Sequence, residues 1–123
     1  MKKIRTYYFL IGIALLINYG CTKTDNPAGM PQLFVPTAFT PNGDHVNDIF
    51  TVIPQSNVPL TYYHISIYES DNILVYQSNN INGGWDGTFN GQPQPDGSYL
   101  WIIKCQTEGS PVYTSSGYVE LIR

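Results

Sequence analysis

The sequence predicts an all-β domain, an antiparallel sandwich or barrel of about seven short strands, on three observations. Runs rich in Val, Ile, Tyr, Phe and Trp recur from Leu33 to Ile122, separated roughly every eight to twelve residues by Gly, Pro, Asn and Asp clusters. Two of these runs alternate in polarity, the period of a half-buried strand. Nothing after Cys21 keeps a helical period over a useful length.

Residues 1–20 stand outside that domain. Lys2, Lys3 and Arg5 form a basic start, and the apolar run Thr6 to Ile17 (TYYFLIGIALLI) is too short to span a bilayer comfortably as a helix, the pattern of an export signal. The run ends at Asn18-Tyr19-Gly20-Cys21, where a small residue precedes a cysteine. This resembles the lipobox of a bacterial lipoprotein, in which the Cys21 sulfur would carry diacylglycerol and become the mature N-terminus. The alternative is an ordinary cleaved signal beside a fortuitous cysteine. Residues 21–32, rich in Thr, Asn, Pro and Gly, read as a flexible tether. The domain proper is 33–123.

Within it, Leu33 to Thr40 and Ile49 to Ile53 are expected as two strands around a polar loop. Tyr62 to Tyr68 (YYHISIY) alternates, with Tyr63, Ile65 and Ile67 on one face and His64, Ser66 and Tyr68 on the other. Glu69 to Asn72 turns the chain, and Ile73 to Gln77 returns to complete a hairpin. Asn90-Gly91 favours a two-residue type I′ turn, and Pro95-Asp96-Gly97 is a second turn signal. Ser98 to Gln106 is the strongest strand. Its Tyr99, Trp101, Ile103 and Cys105 are expected in the core, because the opposite face turns polar toward its end. Val112 to Ile122 supplies the last one or two strands.

With 123 residues and 42% hydrophobic content, the chain can bury one small core. Removing the signal leaves Lys23, Lys104 and Arg123 against nine acidic residues, 3 − 9 or about −6. An acidic domain without a basic patch argues against nucleic acid as a partner and against attraction to anionic headgroups. If Cys21 is lipidated, Cys105 has no partner for an intramolecular disulfide, and it is expected as a small buried hydrophobe.

The polar loop is the most distinctive stretch. Pro41 presets φ for a turn, and Asn42 and Gly43 tolerate the left-handed region. Asp44, Asn47 and Asp48 can fold their side chains back onto backbone N–H groups. Asn42, Asp44, Asn47 and Asp48 also offer the hard oxygens that calcium prefers. Their spacing departs from an EF-hand loop: Val46 stands where an oxygen is needed, and Ile53 takes the place of the final glutamate. An Asx-bonded structural turn is therefore the expectation, with calcium the alternative.

Trp85-Asp86-Gly87 is expected to cap the core with Trp85, bond the loop backbone through Asp86 and turn at positive φ at Gly87. A sugar-stacking platform of Trp85, Tyr99 and the neighbouring asparagines is the competing reading. Catalysis has little support: no serine, cysteine or carboxylate is set near His45 or His64, and phosphate-loop, zinc and paired-carboxylate patterns are missing.

Three separated segments together resemble one family. PTAFTPNGDHVNDIF is similar to the opening motif of the gliding-motility-associated C-terminal domain of Bacteroidetes proteins. GGWDGTFNGQPQPDGSYLWII, carrying Trp85, Asp86, Gly87, Gly97 and Tyr99, resembles its second signature, and GYVELIR its closing strand. The resemblance implies an immunoglobulin-like β-sandwich. It also implies a type B sorting domain, read as a folded surface by the type IX secretion machinery. Two departures stand out. Glu69, Ser70, Asp71 and Asn72 occupy the places of the family's Asn-Arg-Trp-Gly turn, and His45 that of a glycine. Combined with Cys21, the resemblance implies a small, non-catalytic outer-membrane lipoprotein at the cell surface, anchored by lipid and related to gliding. Its partner would be the secretion machinery or another outer-membrane protein. A calcium- or glycan-dependent adhesion module is the alternative.

Overall fold

A computed structural model describes residues 30–123, which contain no helix. The expected signal peptide, Cys21 and most of the tether lie outside these residues. Nine strands follow one another: β1 (Leu33–Phe34), β2 (Ala38–Phe39), β3 (Ile53–Pro54), β4 (Leu60–Tyr68), β5 (Leu74–Ser78), β6 (Thr88–Phe89), β7 (Gln92–Pro93), β8 (Gly97–Thr107) and β9 (Tyr113–Leu121). One layer is a five-stranded sheet of order β2-β9-β8-β4-β5. Facing it are the two-stranded pieces β1-β3 and β6-β7, together with a single bridge between Phe50 and Trp85. The fold is a β-sandwich with one continuous and one fragmented layer.

The alternation in β4 and β8 does what its period requires. Tyr63, Ile65 and Ile67 are buried, and across the ladder so are Tyr99, Trp101, Ile103 and Cys105. β9 adds Val119 and Leu121, both fully buried, and the fragmented layer adds Phe50, Val52 and Trp85. Cys105 is a free, buried thiol, and burial pushes its pKa up, so it stays protonated and inert at neutral pH. Gly117 sits directly against Trp101: a Cβ there would lie 2.5 Å from the indole Cζ2. A glycine in mid-strand marks such an approach.

The first two expected strands come out shorter than their composition implied. Pro36 lacks an N–H and fixes φ, so the segment breaks between β1 and β2. This break lets the chain change sheets: β1 pairs antiparallel with β3, whereas β2 pairs with β9. The β2–β9 pair is parallel, a correction to a purely antiparallel expectation. Ile49 is exposed, and only Phe50 and then Ile53–Pro54 take up pairing, because this stretch bonds first to Trp85 and then to β1. The β4–β5 hairpin, with a bulge after Ile67, and the Asn90-Gly91 turn stand where expected, the latter with φ of 52° and 75°. Val112 to Ile122 supplies one strand.

Candidate functional site

The β8 ladder defines two poles. Gly97 starts β8 opposite Leu121 of β9, while Cys105 near its other end is opposite Tyr113; eleven extended residues span about 35 Å. At the Gly97 pole the three distinctive segments meet.

The first is the polar loop, tied by its own carboxylates. Asp48 Oδ1 accepts from the N–H groups of Asn42 (3.0 Å) and Gly43 (2.9 Å), and Oδ2 accepts from His45 (2.7 Å). Asn42 Oδ1 accepts from Asp44 N–H, and Asp44 Oδ1 from Val46 N–H. The backbone closes with Thr40 N–H on the Asn47 carbonyl at 2.8 Å. Gly43, His45 and Asn47 hold positive φ, so histidine does reach the left-handed region in the glycine's place. The N–H donor of Gly43 above all lowers the Asp48 pKa. Four side-chain oxygens of Asn42, Asp44 and Asp48 thus serve the loop itself. A calcium ion would have to draw them away from five N–H donors.

The second segment begins at Trp85, 1% exposed, whose N–H and C=O both bond Phe50 and whose indole N–H donates to the Thr88 carbonyl at 2.8 Å. Its ring lies 4.9 Å from Tyr99 in an edge contact and 5.4 Å from Phe39, which in turn lies 6.0 Å from Phe50. Tyr99 is 3% exposed and its hydroxyl donates to the Pro95 carbonyl at 2.6 Å. Burial raises its pKa. These rings are core, which removes Trp85 and Tyr99 as a sugar-stacking surface. Asp86 accepts from both the N–H and the hydroxyl of Thr88, the loop bond expected of it.

The third is the end of β9. Its Leu121 and Arg123 reach Gly87, where φ is +80° and a Cβ would meet Pro41 Cγ at 3.0 Å, Leu121 Cδ1 at 3.1 Å and Arg123 at 3.2 Å. One glycine therefore touches all three segments. The Arg123 guanidinium donates to the carbonyls of Gln94 and Gly87 and pairs with Asp96 at 3.4 Å, while its backbone N–H donates to Asp96 Oδ2 at 3.1 Å. Gly97, next to Asp96, holds φ +151°.

The Glu69–Asn72 turn lies at this same pole, since Tyr68 pairs with Leu100. Asn72 takes φ 61° at the glycine's place, so the backbone reversal survives the changed side chains. His64 lies elsewhere, on the outer sheet face between Asn79 Oδ1 (2.6 Å) and Ser66 Oγ (3.0 Å), a correction to the expectation that no serine stands near it. The Asp48 carboxylate on the His45 N–H corrects the same expectation for His45. Sequence reasoning gave Arg123 and Asp96 no bonding role. The one available signal was that Arg123 and Lys104 are the only two Lys or Arg residues in the acidic domain 33–123.

Residues 33–121 match the family model described as the CHU_C Type IX secretion signal domain. Among solved structures, CopC from Methylosinus trichosporium OB3b is similar at 13% identity and a TM-score of 0.49, over 76% of this chain and 92% of that one. No curated protein matches the sequence.

Proposed function

Because the chain belongs to the type IX secretion signal domain family, we propose that it is a non-catalytic cell-envelope protein whose folded Gly97 pole is read by the secretion machinery. The observation that carries this reading is the convergence of the polar loop, the Trp85-Asp86-Gly87 turn and the end of β9 on Gly87. A surface assembled from three distant segments exists only in the folded domain, which suits recognition of shape. The described chain enters the domain at Met30–Val35 beside Cys105 and Tyr113, at the other pole. We further propose export by the signal at 1–20, lipidation of Cys21, and display at the outer membrane in association with gliding.

Fusing residues 33–123 to a secreted reporter tests the sorting reading. The reporter is expected at the surface or in the medium of a host with an active type IX system, and in the periplasm when that system is deleted. Retention in the periplasm of both hosts would sink it. Protease shaving of intact cells separately tests display of the native protein, and complete protection would remove it.

A further inference from the structure

We propose that the outer edge of β9 is a strand-addition site for an extended peptide with apolar side chains at alternate positions. It runs along β9 from the start of the closing motif at Gly117 toward the pole opposite the Gly87 junction, and it stands independently of the sorting reading.

β2 covers only Glu120 and Leu121 of β9. Along Tyr113 to Val119, no strand among the described residues lies on that side. The direction of the backbone groups follows from the bonds at the covered end, where the N–H of Glu120 donates to Thr37 and that of Ile122 to Phe39. Successive residues of a strand point their N–H and C=O to opposite edges, so Thr114, Ser116 and Tyr118 turn theirs the same way. Tyr113, Ser115 and Gly117 turn theirs to β8. The open stretch Tyr113–Val119 contains no charge and no proline, the features that ordinarily block an edge against pairing.

Beneath this edge the sandwich is parted. A cleft of about 360 Å³ lies between the segment carrying Leu33 and Val35 and the inward side chains of Ile103, Cys105, Tyr113 and Ser115. An added strand would therefore gain on two counts: its backbone completes the ladder, and every second side chain enters an apolar slot. The chain already uses the edge in this manner, since β2 lies parallel on it two residues away. A second copy offering its own β9 would bring the small Ser115 and Gly117 in the middle of its inward set, between Tyr113 and Val119, and so little apolar surface for the slot. The chemistry fits an extended partner with Val, Ile or Leu in those places.

The test titrates the full chain with a blocked peptide, Lys-Val-Thr-Val-Thr-Val-Lys, and a control in which serine replaces each valine. Saturable binding is expected, with the amides of Thr114, Ser116 and Tyr118 gaining protection from hydrogen exchange. The control is expected to bind roughly tenfold more weakly or worse. Ser116→Pro removes an outward N–H while leaving the β8 ladder intact, and Ser115→Trp fills the cleft. Each is expected to weaken binding by roughly tenfold or more. If Ser116→Pro fails to fold, Ser115→Trp decides. The proposal is overturned by no binding, by equal binding of folded variants and wild type, by protection away from β9, or by a peptide-free dimer that claims the edge for a second copy.

Discussion

Arg123 meets Asp96 twice, through its backbone N–H on Oδ2 and its guanidinium on Oδ1. The outer contact is an exposed ion pair, which contributes little by itself. More of the stabilisation comes from the carbonyls of Gln94 and Gly87, which the fork of the guanidinium reaches together. Arg123→Ala is therefore expected to cost about 1–2 kcal/mol in urea unfolding. Arg123→Lys, which keeps the charge and loses the fork, should recover less than half of that cost. Full recovery by lysine would mean that charge alone matters.

Gly87 and Gly43 share φ of +80° but not surroundings. Gly43→Ala meets nothing within 4 Å and should cost only the left-handed strain, about 1–2 kcal/mol. Gly87→Ala adds crowding against Pro41, Leu121 and Arg123, and is expected to cost about 1 kcal/mol or more beyond Gly43→Ala. Equal melting temperatures for the two variants would show that the junction yields.

At Gly117 the obstacle is the Trp101 ring, not the backbone. Gly117→Ala should destabilise by about 1–3 kcal/mol, as overpacking does. Shrinking the ring in the same background, with Trp101→Phe, should return part of that cost. A double-mutant cycle reads this coupling, and additive losses would count against direct contact.

Asp48 sets a pH dependence. Its folded pKa is depressed by backbone donors, so its contribution is present above the unfolded carboxylate value and is lost as pH falls through the folded one. The stability curve should therefore decline on the acid side, below about pH 4. Asp48→Asn should lower stability at neutral pH and flatten that decline. An unchanged acid limb would exclude the carboxylate as its source.

Much of this architecture was legible residue by residue. The alternation of Tyr62–Tyr68 and Ser98–Gln106 marked the two longest ladders and sorted their faces, because side-chain period in a strand is a local property. Asn90-Gly91 and Gly87 announced their positive φ for the same reason. Pro36 carries a local signal for the break inside Leu33–Thr40, whereas the parallel β2–β9 pair was not legible, since pairing partners more than eighty residues apart leave no local trace. The candidate site divides likewise. Asp48 and Asp86 act within a few residues and were anticipated as loop-bonding groups. That Gly87 would sit on Pro41, Leu121 and Arg123 emerges only when the sheet closes. Trp85 and Tyr99 could equally have formed an exposed platform, and tertiary packing put them inside.

The staple at Arg123 makes the Gly97 pole depend on the last residues of the domain. A chain stopped before Leu121 lacks both the leucine against which Gly87 packs and the end of the strand on which β2 lies. The polar loop and the Trp85 turn would then keep their bridge at Phe50 but lose the strand end that packs on Gly87. Side-by-side display of the two therefore depends on the domain being folded through Arg123.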